Sequence, residues 1–119
     1  MSEQRRQYLR LPVESTTFIE VEAPSANQED KGRLVTCKTL NVSRGGIQVS
    51  LGEALTQGAI LQIGIDLPGA ETTLYLAGEV RWCLPELNSN DCWLAGFKLL
   101  NADHSDIVAW HELLEDMER

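Results

Sequence analysis

Arg6 and Arg10 stand four apart in the segment RRQYLRLPV, with Arg5 directly before them. A guanidinium is a planar fork of donors that can hold two phosphate oxygens at once. The same fork matches O6 and N7 of guanine. Two or three such groups on one arm can clasp a guanine nucleotide. Pro12 disfavours helix at Leu11, so the arm is expected to be extended or tightly turned. A second constellation is Asn41-Val42-Ser43-Arg44-Gly45-Gly46. Asn41 and Ser43 carry short polar side chains that fold back on the backbone. Gly45 and Gly46 permit positive φ and close approach of a ligand to the main chain. Successive N–H groups in such a turn can form an anion-binding nest. Each segment also has a plainer reading, a basic terminus with no task and an ordinary Asx-type turn.

Other chemistry is poorly supplied. Cys37, Cys83 and Cys92 are an odd set without a CxxC spacing, which argues against a disulfide framework or a cysteine metal site. His104 and His111 lack a partner at metal-ligand spacing and read as solvent-side residues of a helix. Ser43 has no recognisable base to activate it. Acid–base pairs of the kind a hydrolase needs are missing, so an enzyme is not expected.

The elements that must position these residues are legible from periodicity. Alternation of apolar and polar residues marks strands around 19–21, 47–51, 61–67, 74–82 and 93–99, with 33–40 a less regular sixth. Turn signals separate them, among them Gly45-Gly46, Gln57-Gly58 and Pro68-Gly69. Six short strands with this punctuation predict a mainly β fold, and barrel closure would remove exposed edges. Ile107, Trp110, Leu114 and Met117 then fall on one face of a helix. Asp103 or Ser105 is placed to cap it, and Asp106 to favour its positive end. Trp82 shares parity with Leu74, Leu76 and Val80, which points it inward, whereas an outward ring could stack on a base.

The chain has 119 residues and a net charge of −8, enough for one domain and too acidic for non-specific nucleic-acid binding. The charge is uneven. Residues 1–10 carry three arginines against one glutamate, while 103–119 carry six carboxylates against one arginine. A small cationic focus on an anionic body suits a compact anion better than a polymer. No apolar stretch is long enough to span a membrane, and no secretory leader is visible, so a cytoplasmic protein is expected.

Taken together, Arg6-Gln7-Tyr8-Leu9-Arg10 as RxxxR, followed by Asn41-Val42-Ser43-Arg44-Gly45-Gly46 as (D/N)xSxxG, resembles the PilZ domain family. GEVRW at 78–82 and LAGFKLL at 94–100 are similar to its later strands. The resemblance implies a single domain that is a six-stranded antiparallel β-barrel with a C-terminal α-helix. Residues 1–11 would be a flexible Arg-rich arm, 12–102 the barrel and 103–119 the helix. It further implies a bacterial receptor for cyclic di-GMP with no metal or other cofactor. The ligand would be held by Arg5, Arg6, Arg10, Asn41, Ser43, Gly45 and Gly46, with Trp82 as a stacking candidate. Asn41 stands where aspartate is usual, offering one acceptor where a carboxylate offers two. The expected partner is an effector protein in motility, pilus or biofilm control, with no DNA or RNA and a monomer or weak dimer. The alternative is a module of the same fold that binds no nucleotide and acts in type IV pilus or motility machinery.

Overall fold

The computed structural model describes residues 9–22 and 33–118. Its elements are β1 (Leu11–Pro12), β2 (Thr16–Glu22), β3 (Arg33–Ser43), β4 (Gly46–Leu51), β5 (Ile60–Asp66), β6 (Leu74–Pro85), β7 (Trp93–Leu99) and α1 (Ile107–Met117). Every pairing is antiparallel, in the order β3-β2-β5-β6-β7-β4, and β4 returns to β3 to close the sheet. The result is the expected six-stranded barrel with a C-terminal helix, plus one short extra strand. β1 adds to the far end of β3, matching Leu11 with Val42 and Pro12 with Asn41.

The alternation that marks these strands fills the barrel. Ile19, Val42, Ile47, Val49, Ile63, Ile65, Val80 and Ala95 are wholly shielded from water. Their polar neighbours in sequence face out because successive side chains alternate across a strand. Among the buried polar residues, Thr17 and Thr39 satisfy each other through a hydrogen bond of 2.6 Å. Three register shifts bend the wall, between Glu20 and Glu22, Thr39 and Asn41, and Val80 and Trp82. A bulge of this kind reverses the facing of the residues that follow it.

Helix α1 joins the same core through Ile107, Trp110 and Leu114. The expected side-chain caps, Asp103 and Ser105, do not serve. The N-cap is Asp106, and it makes no side-chain bond to its own helix. Its carboxylate instead accepts from the Tyr75 N–H at 2.8 Å, while its N–H donates to the Tyr75 carbonyl at 2.8 Å. The helix start is thus fastened to β6, and docking outranks capping. His104 lies before the helix rather than on it, in a left-handed turn with φ 65°. That region is sterically tolerated by few residues other than glycine.

Candidate functional site

The tight turn Arg44-Gly45 joins β3 to β4 and brings Ser43 opposite Gly46. The β1–β3 register sets Arg10, one residue before β1, beside the same corner. Arg10 Nε donates to Asn41 Oδ1 at 2.5 Å, and Arg10 Nη1 donates to Ser43 Oγ at 3.2 Å. Two motifs more than thirty residues apart in sequence therefore meet through one guanidinium. Partial desolvation of its head lowers the Arg10 pKa from the ordinary arginine value. Arg5 and Arg6 lie outside the described residues.

Asn41 uses both ends of its amide. Its oxygen takes the Arg10 bond and its nitrogen donates to Gln48 Oε1 at 3.0 Å. Ser43 is buried, and Asn41 is half-buried. Neither Gly45 nor Gly46 adopts positive φ, contrary to the conformational reason expected for them. Gly46 is required by proximity instead. A Cβ there would stand 2.5 Å from the Phe97 carbonyl oxygen and 3.5 Å from Arg10 Nη1.

The turn is held from behind. Trp110 Nε1 donates to the carbonyls of Ser43 at 3.1 Å and Arg44 at 3.2 Å. The Leu99 N–H donates to the Gly45 carbonyl at 2.9 Å. Arg44 Nε pairs with Glu118 Oε2 at 3.2 Å, tying the turn to the end of α1.

Trp82 does not follow its sequence parity into the core. The shift between Val80 and Trp82 matches Val80 with Phe97 but Trp82 with Gly96. Phe97 and Ala95 face the core, so Gly96 and Trp82 face out. The indole lies directly on Gly96: a Cβ on that glycine would collide with its ring atoms. The outer surface then reads Asn41, Gln48, Gly96 and Trp82 in one row across β3, β4, β7 and β6. Three strand spacings put the ends of that row about 14 Å apart. Lys98, exposed and opposite Gly46, stands in the adjacent row.

The structure brings Arg10, Asn41, Ser43, Gly45 and Gly46 together at one corner, with Trp82 at the other end of the row on the same wall. Sequence reasoning missed Gln48, Gly96 and Lys98. Parity within each strand carried a usable signal: Gln48 lies two residues from Gly46 on β4, and Gly96 and Lys98 alternate with the buried Ala95, Phe97 and Leu99 on β7. Chemically the wall offers a guanidinium, amide and hydroxyl groups, a glycine floor and a flat aromatic ring. Those groups fit a ligand with an anion and a planar base.

The family model for the PilZ domain matches residues 4–116. No curated protein matches the chain. Among solved structures, the chain is similar to the Bacillus subtilis inhibitor of motility MotI/DgrA, with 23% identity and a TM-score of 0.71, over 97% of this chain and 52% of that one. It is similar to the PilZ domain of Escherichia coli YcgR with c-di-GMP, with 17% identity and a TM-score of 0.64, over 98% and 93%. YcgR from Escherichia coli in complex with c-di-GMP also matches, with 18% identity and a TM-score of 0.65, over 97% and 46%. The chain thus spans about half the length of MotI/DgrA and of the longer YcgR structure.

Proposed function

The chain belongs to the PilZ domain family, and from that premise we propose that it is a receptor for cyclic di-GMP that signals to a partner protein. The carrying observation is Arg10 bonded to both Asn41 and Ser43 over the Gly46 floor. Arg10 supplies the cation for a phosphate or for the O6/N7 edge of guanine. Asn41 Oδ1 accepts from guanine N–H groups, and Ser43 fixes the geometry of the corner. Arg5 and Arg6 add phosphate contacts from residues 1–8. Trp82, half-buried and outward, gives a second base a stacking surface worth roughly 1–3 kcal/mol.

Magnitudes agree with this assignment. A micromolar Kd requires about 8 kcal/mol. Each hydrogen bond to a charged group contributes on the order of 1.5–3 kcal/mol. Two or three arginine contacts and one stacked base therefore reach the micromolar range after the cost of ordering the arm. The protein works as a binder rather than an enzyme, in the cytoplasm, and its effect on motility, pili or biofilm passes through another protein.

Asn41 favours a second reading. Its amide is already satisfied by Arg10 and Gln48, so the corner is self-consistent as a purely structural turn in an interaction module. Calorimetric titration with cyclic di-GMP separates the two. The receptor reading expects micromolar binding by the wild type and loss of about tenfold or more in Arg6→Ala and in Arg10→Ala. Equal affinity in all three proteins overturns the arginine assignment. No binding by the wild type favours the interaction module.

A further inference from the structure

The wall of the barrel opposite the Arg10 corner carries a different surface. Its outward residues form a grid on β3, β2, β5 and β6. One row is Thr36, Phe18, Gly64 and Tyr75, and the next is Leu34, Glu20, Gln62 and Ala77. Leu34, Tyr75 and Ile60 are 66%, 55% and 65% exposed. Gly64 leaves a trough between Phe18 and Tyr75, and the Tyr75 ring leans into it at 3.3 Å from where a Cβ would stand. The trough opens a groove of about 400 Å³ lined by Phe18, Glu20, Leu34 and Tyr75 among others. A second groove of about 530 Å³ adjoins it through Glu20, Gln62 and Tyr75 and runs to Asp103 and His104.

The charges in these two grooves are one-sided. Among the described residues, their linings contain the carboxylates of Glu20 and Asp103 and no lysine or arginine. Lys38, on the same outer face, lies opposite Thr16 and Thr16 opposite Asp66, one row beyond the trough. Aromatic faces beside a carboxylate are what a guanidinium or ammonium group prefers when it leaves water. Anionic lipids and nucleic acids are repelled here. A second copy is disfavoured as well, because each chain carries −8.

We propose that this wall docks a cationic segment of a partner protein. An arginine or lysine of that segment lies against Tyr75 and Phe18 and pairs with Glu20, and its apolar neighbours cover Leu34 and Ile60. The proposal stands independently of the nucleotide reading, since none of the residues at the Arg10 corner lines either groove. Exposed apolar area of this kind, rimmed by charge, is the usual mark of an interaction surface.

Amide NMR on the full chain at physiological salt tests it, with two amidated hexapeptide probes, Leu-Arg repeated three times and Leu-Glu repeated three times. The expected result is shifts at Phe18, Glu20, Gly64 and Tyr75 with the arginine probe and none with the glutamate probe. Glu20→Lys and Tyr75→Ala should each weaken the arginine probe by about fivefold or more. Glu112→Lys, a charge reversal on the exposed side of α1, should leave it within about twofold. Shifts dispersed over the acidic surface, or equal loss in Glu20→Lys and Glu112→Lys, overturn the proposal. So does concentration-dependent dimerisation that Tyr75→Ala abolishes, which would make a second copy the occupant.

Discussion

In the proposed receptor Arg10 does two jobs with one charge, and the replacement of its partners separates them. Arg10→Ala removes the cation and also leaves buried Ser43 Oγ without this donor. Asn41→Asp sharpens the proposed receptor role. A carboxylate can accept from both guanine N–H groups, and bonds to charged acceptors are worth roughly 1.5–3 kcal/mol against about 1 for neutral ones. The competing gain, a stronger pair with exposed Arg10, is worth only about 0.2–1 kcal/mol. Asn41→Asp should therefore tighten cyclic di-GMP binding several-fold by calorimetry, with Gln48 turning its amide nitrogen toward the new acceptor. Unchanged or weaker binding would place the guanine elsewhere. Gly96→Ala tests the other end of the row. A methyl group cannot share the space of the Trp82 ring, so Trp82 must lift. Its fluorescence should redden as water reaches it, and its contribution to binding should fall.

Elements explain which parts of this site can be foreseen. Strands and helix were visible because their apolar periods, two and 3.6, are consequences of burial on one side. RxxxR and (D/N)xSxxG were visible as spacing, and β1 pairing with β3 is what joins them. The facing of Trp82 was not visible. Parity along 74–82 points it inward, and only the register shift against β7 reverses it. A bulge depends on both strands, so neither strand's own pattern announces it. The helix start misled for a related reason: Asp106 has a better use for its carboxylate on the Tyr75 N–H than on its own first turn. Helix α1 also backs the site. Trp110→Phe removes the donor to the Ser43 and Arg44 carbonyls and leaves a small void. The expected cost is about 2 kcal/mol in denaturant unfolding, with weaker nucleotide binding at temperatures where the protein remains folded. A stability loss with unchanged affinity would confine Trp110 to packing. Gly46→Ala should cost about 1–3 kcal/mol by overpacking against the Phe97 carbonyl.

For the whole molecule, the barrel separates chemistry by wall. One wall presents Arg10 and Trp82, and the opposite wall presents aromatic and acidic groups. Between them the packed interior holds Cys37, which contributes to the pH dependence of stability on the alkaline side. Burial, and secondarily the charge of Glu53, push the Cys37 thiol up to about 12. An unfolded cysteine ionises near 9, so the folded chain holds this proton more tightly. That contribution is complete below pH 9 and is lost as pH rises toward about 12. Cys37→Ala should flatten the fall in stability across that window in urea titrations, and a fall of unchanged steepness would exclude Cys37 as its source. In native protein at neutral pH, Cys37 should resist a water-soluble disulfide reagent that modifies the half-buried Cys83 and Cys92.

The pairing of Arg44 with Glu118 has a practical use. It parks the last turn of α1 a few ångströms behind the β3–β4 corner, where Arg44, His111, Glu112 and Glu115 enclose a shallow hollow. A polarity-sensitive dye tethered at Glu115, on a chain whose native cysteines have been replaced, would occupy that hollow without touching the wall that carries Arg10 and Trp82. On the proposed receptor function, its emission would then report cyclic di-GMP levels optically, turning a small acidic barrel into a probe.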